Sequence, residues 1–156
     1  MHVSGARRLA IPGMGLYCAS KFAMEALAET YRYELASQGI DSVILQPGAY
    51  MRAIADKLEA GEDPERRTGH GEMAQGPSKI LQRIRSSRAN PQEIAHKVLE
   101  IILTPSAQRN LRYRIGPGGP GVGRINALTD EIQAELLEAF GITGLAKFKA
   151  PGGIAK

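Results

Sequence analysis

The chain of 156 residues contains no Trp, a single Cys, three His and only 5% aromatic residues, and each scarcity removes a class of protein. A lone Cys18 forms no internal disulfide, which excludes a disulfide-stapled scaffold and makes a reducing, cytoplasmic setting the expectation. His2, His70 and His96 lack the spaced partners of a metal centre, so no metal is expected. The interleaving of aromatic and basic residues that single-strand binders use is missing. The net charge of +4 is spread along the chain apart from clusters at 66–67 and 83–88, so no nucleic-acid partner is expected. No apolar run approaches the roughly 20 residues that span a bilayer, and the first residues are too briefly apolar for a secretory signal, so no membrane partner is expected either. No unit of about 20–50 residues repeats. The length suits one domain.

The elements that are present alternate between helix and strand. Leu16, Ala19, Phe22, Ala23, Ala26, Leu27, Tyr31 and Leu35 recur at helical spacing, predicting a helix over 15–38 with Glu25, Glu29 and Arg32 at its surface and Gly39 as its stop. Residues 40–45 are short and β-branched and run into Pro47-Gly48, the pattern of a buried parallel strand. A polar, irregular stretch follows, with a helix near 78–85. Asn90 as N-cap, Pro91 at the first position and Glu93 at the third open a further helix, which Thr104-Pro105 ends. Residues 110–115 then read as a second strand of the same sheet, and 126–140 as a last helix. The run Gly116-Pro117-Gly118-Gly119-Pro120-Gly121 fits a Gly-x-Gly-x-x-Gly pattern, yet its prolines remove donors that a pyrophosphate would need, so it reads as an exposed turn.

The chemistry concentrates at Ser4, Tyr17 and Lys21. Tyr17 and Lys21 are four residues apart on a helix and share one face. An ammonium there favours phenolate, moving a tyrosine toward the range where it exchanges protons near neutral pH. Tyr and Lys at this spacing also occur as a plain surface pair, so the neighbourhood must distinguish the two. Ser4 lies 13 residues before Tyr17 across a loop holding Gly5, Pro12, Gly13 and Gly15, and the helix is followed by Ile-Asp-Ser-Val-Ile-Leu-Gln-Pro-Gly.

This combination resembles the short-chain dehydrogenase/reductase family, with its Tyr-x-x-x-Lys motif, upstream Ser and strand ending in Pro-Gly. The resemblance implies an α/β fold, a partial Rossmann-like doubly wound parallel sheet over residues 1–141, with 50–88 as a variable substrate-covering region and 142–156 as a flexible tail. It implies an oxidoreductase that interconverts a small-molecule alcohol and carbonyl with NAD or NADP, the basic excess favouring NADP. Tyr17 is then the acid–base residue, Ser4 the holder of the reacting oxygen, and Lys21 both a pKa-lowering neighbour and a ribose ligand. Tyr17, Lys21, Pro47, Gly48, Ala49 and Tyr50 would face the cofactor, and the long helix would pair with that of a second copy. Where the family usually carries Thr four residues after the Gly of Pro-Gly, this sequence has Arg52, which cannot accept a hydrogen bond. The Gly-rich turn that receives the pyrophosphate does not precede Ser4. The alternative expectation is therefore a truncated, catalytically silent fragment that acts at most as an oligomerisation module.

Overall fold

A computed structural model describes residues 8–50, 69, 71–117 and 121–148. The elements in chain order are α1 (Gly15–Ala36), β1 (Ile44–Pro47), α2 (Gly76–Arg85), α3 (Gln92–Leu103), β2 (Arg112–Ile115) and α4 (Gly121–Ala139), with 3-10 turns at Gly71–Gln75, Ser106–Gln108 and Thr143–Ala146. The two strands pair in parallel, from Ile44 opposite Arg112 to Pro47 opposite Ile115, and α3 lies between them in sequence. The described part is thus α/β with a small parallel sheet, compatible with part of a Rossmann-like fold.

Helix α1 is rich in Ala, Leu and Glu, all strong helix formers. It ends two residues short of the expected 38. Gly39, at φ 76°, donates to the Ala36 carbonyl at 3.1 Å, and Ile40 donates to Leu35 at 3.2 Å, a left-handed glycine cap that satisfies the last carbonyls. The face that α1 buries differs from the expected one. Its buried residues are Cys18, Glu25, Ala28 and Ala36, whereas Leu16 is 91% exposed and Phe22, Leu27 and Tyr31 are exposed as well. Glu25, expected at the surface, is only 3% exposed, because polar partners reach it from the sheet.

Strand β1 begins at Ile44 rather than at residue 40, because pairing with β2 starts only there: the Ile44 N–H donates to the Leu111 carbonyl at 2.8 Å. The residues before it serve a different purpose, with the Asp41 carboxylate 3.0 Å from Arg32 and 3.6 Å from Arg109. Pro47 closes the strand, where its missing N–H costs no ladder bond. Helix α3 opens near the predicted place, and the Asn90 side chain accepts from the Gln92 N–H at 3.0 Å. Helix α4 starts five residues before the expected 126. A small apolar centre joins these layers, with Ala28 of α1 and Ile44 of β1 fully buried and Met24 and Leu111 packed against them. Within the predicted tail, Thr143–Ala146 form a turn and the Arg32 guanidinium lies 5.9 Å from the centre of the Phe148 ring.

Candidate active site

Tyr17 and Lys21 sit in the first turns of α1, just after the turn in which Gly13 takes φ 78° and the Met14 N–H donates to Ile11 at 3.0 Å. Helical geometry brings the two side chains together: the Lys21 ammonium is 5.5 Å from the centre of the Tyr17 ring. Tyr17 is about one-third exposed, open to a ligand from outside. Lys21 is half-buried, and its polar contact among the described residues is the Met24 thioether at 3.8 Å, a weak acceptor that leaves donor capacity on the ammonium. Ser4 and Arg52 lie outside the described residues. Cys18, between Tyr17 and Lys21 in sequence, is buried as a packing residue.

The segment after β1 is anchored by its backbone. The Gly48 N–H donates to Ile115 at 2.9 Å and the Ala49 N–H to Pro117 at 3.1 Å, carrying the parallel pairing past Pro47. The Ala49 carbonyl accepts from the Ser87 hydroxyl. Tyr50, expected to face a cofactor, is 3% exposed and donates its hydroxyl to Glu93 at 3.0 Å. Burial, reinforced by the Glu93 carboxylate, pushes its pKa above the ordinary tyrosine value. Its ring covers Gly116, whose φ of 67° and lack of Cβ make the contact possible; a Cβ there would lie 2.6 Å from Tyr50 Cζ. The Gly-rich turn at 116 therefore accommodates an aromatic ring. Glu93, placed at the third helical position by the sequence, receives the Tyr50 hydroxyl. Ser87 and Tyr50 together tie the two ends of the 50–88 region to the sheet.

Sequence reasoning missed a charged network behind the site. Glu25 Oε1 accepts from Arg8 at 2.9 Å, Arg112 at 3.0 Å and Gln46 at 3.3 Å. Glu29 receives Arg8 at 2.9 Å and also Arg112, and Asp130 of α4 receives Arg112 as well. Gln46 and Asn126 exchange bonds at 2.6 and 3.3 Å, joining β1 to α4. Burial alone would lower the Arg112 pKa, but Glu29, Glu25 and Asp130 together hold it above the ordinary arginine value. At Asp41 burial outweighs Arg32 and Arg109 and pushes the carboxyl up. Nothing in the spacing of Glu25 marked it as inward-facing, since its partners come from elements far along the chain.

A profile of the family described as short chain dehydrogenase matches residues 2–63, the stretch that holds Ser4, Tyr17, Lys21 and 47–50. The chain is related to the short-chain dehydrogenases. It is 28% identical over 106 residues to an NADPH-dependent 3-dehydrocapnine reductase of Ornithobacterium rhinotracheale, covering 68% of this chain and 37% of that protein. It is 28% identical over 109 residues to the uncharacterized oxidoreductase YusZ of Bacillus subtilis, covering 69% of this chain and 39% of YusZ. It is also 32% identical over 102 residues to the glycine betaine reductase ATRR of Emericella nidulans, covering 65% of this chain and 7% of that protein. The match thus spans about two-fifths of the length of the first two relatives.

Proposed function

We propose that this chain carries the acid–base part of a nicotinamide-dependent oxidoreductase that interconverts an alcohol and a carbonyl, its two strands belonging to a larger doubly wound parallel sheet. The observation that carries the reading is the Lys21 ammonium held 5.5 Å from the ring of a partly exposed Tyr17. In this reading Tyr17 gives its hydroxyl proton to the carbonyl oxygen in reduction and takes it back in oxidation. Lys21 stabilises the phenolate left behind, while Ser4 donates a hydrogen bond to the same substrate oxygen and polarises it.

The residues present fit a dinucleotide. Lys21 keeps donor capacity suited to ribose hydroxyls, and the turn that ends β1 is where open α/β sheets receive ligands. The bound cofactor supplies or removes the reducing equivalents. NADP is favoured, on the basic excess of the chain and on a relative named for NADPH dependence. Gly48 and Ala49 spend their N–H groups on β2 and Tyr50 spends its hydroxyl on Glu93, so they would shape the nicotinamide end from behind.

The test is Tyr17→Phe, followed by oxidation of reduced nicotinamide with a carbonyl substrate. Turnover should fall by about 10²–10⁴-fold with cofactor affinity and melting temperature unchanged. Unchanged turnover would remove Tyr17 from the chemistry.

A second reading, a module that acts by pairing with its own kind, is favoured by the outward face of α1, where Leu16, Leu27 and Tyr31 are exposed. The two readings are compatible in a homo-oligomeric enzyme. They separate if sedimentation shows a dimer whose melt is unaffected by NADP, because a ligand that binds the folded state must stabilise it.

A further inference from the structure

Helix α2 and its exit carry Lys79, Arg83, Arg85 and Arg88, and no Asp or Glu occurs between Met73 and Gln92. All four cations are exposed. Several cations elsewhere are paired with acids, Arg8 and Arg112 with Glu25 and Glu29, Arg32 and Arg109 with Asp41, Lys97 with Glu100, while the exposed Arg114 and Arg124 form no ion pair among the described residues. Among the described residues Lys79, Arg83 and Arg88 have no such partner.

The helix gains nothing in folding from this arrangement at its N-terminal end. Arg83 and Arg85 lie in the last turn, where the carbonyl end of the helix favours cations. Lys79 lies near the opposite end, where the free N–H groups repel a cation, and it sits four residues before Arg83, a like-charge spacing that destabilises a helix. An acid at 79 would satisfy both effects.

The helix is also seated beside the candidate site. Ile80, Leu81 and Ile84 are half-buried, so its apolar face is turned inward and its basic residues outward. Pro77 packs so closely on Gly13 that a Cβ there would be 3.0 Å from the proline ring, and Gly76 lies against the Pro12 carbonyl. Gly13 is four residues before Tyr17. The cations are therefore carried on an element fixed to the turn that opens α1.

We propose that α2 is the anion-recognition element of the site and that the alcohol or carbonyl substrate carries a carboxylate, bound by Lys79 together with Arg83 and Arg88. The proposal rests on the oxidoreductase reading. A guanidinium offers a carboxylate a two-pronged set of donors and an ammonium adds a point charge.

The test compares hydroxybutyrate with its methyl ester, which differ by one charge, by titrating each into the isotope-labelled full chain and following its amide resonances by NMR. The acid should bind about fivefold more tightly than the ester at low salt, the size expected when a carboxylate meets a few partly exposed cations. The preference should vanish in the triple variant K79A/R83A/R88A and reverse toward the ester in Lys79→Glu. Equal binding of acid and ester, or a preference that survives the triple variant, would overturn the proposal. So would loss of NADP binding alone in that variant, or steeply salt-dependent binding of duplex DNA in place of the acid. Binding is read without turnover. Acid preference with no turnover of either compound would sink the oxidoreductase reading alone, whereas turnover of both with equal kcat/KM and equal affinity would sink the anion assignment alone.

Discussion

At the seam where α1 meets the sheet and α4, Glu25, Arg112, Gln46 and Asn126 are tied into one network with Arg8, Glu29 and Asp130. On α2, a helix of only ten residues, the cations face solvent and no acid occurs nearby in sequence. Both regions are rich in charge, yet the energetic meaning of a charge differs between them. At the seam Glu25 and Arg112 have lost water and depend on their partners, so deleting one strands the other. Lys79 and Arg83 of α2 keep their water and lose little by having no acid beside them among the described residues, which leaves them available to a ligand. Burial, more than the number of charges, decides whether an ionic group is structural or available.

The largest expected effect breaks the seam. Arg112→Met leaves Glu25 and Glu29 with Arg8 as their remaining charged partner among the described residues, and should lower stability by about 3 kcal/mol, read from the urea midpoint. A loss under about 0.5 kcal/mol would mean that the seam behaves like an exposed surface. Next comes the point where the 50–88 region is tied to the sheet. Gly116→Ala forces a side chain into a left-handed backbone and against the Tyr50 ring, and should cost about 2 kcal/mol in the same assay. The smallest effect has the opposite sign. Lys79→Glu removes a like-charge pair and places an acid near the N-terminus of α2, so it should raise stability by about 0.5 kcal/mol. A loss there would show that Lys79 is held by the fold, and the contrast between the two regions would fail.

The parts of the fold written in local sequence were legible. The start of α1 is where the apolar period puts it, Gly39 caps it, and Asn90 and Thr104 bracket α3. The candidate pair was legible for the same reason, since Tyr17 and Lys21 meet through helix geometry alone. What was misread depended on partners remote in sequence. The apolar period of α1 pointed to Leu16 and Leu27 as the buried stripe, but the face that packs is set by what β1 and β2 present, and they present Gln46 and Arg112. Strand β1 was placed four residues early because β-branched composition marks a tendency, while pairing with 112–115 fixes the start.

The sequence by itself determined the helix–strand order, the Tyr17–Lys21 pair and the resemblance built on it, because each follows from spacing of a few residues. Only the tertiary structure decided that Glu25 is buried, that Tyr50 turns to Glu93 and Gly116, and that α2 is seated on the turn before Tyr17. Those outcomes need residues 17 to 87 positions apart to meet, and local spacing carries no record of which distant group will supply the missing hydrogen bond or charge.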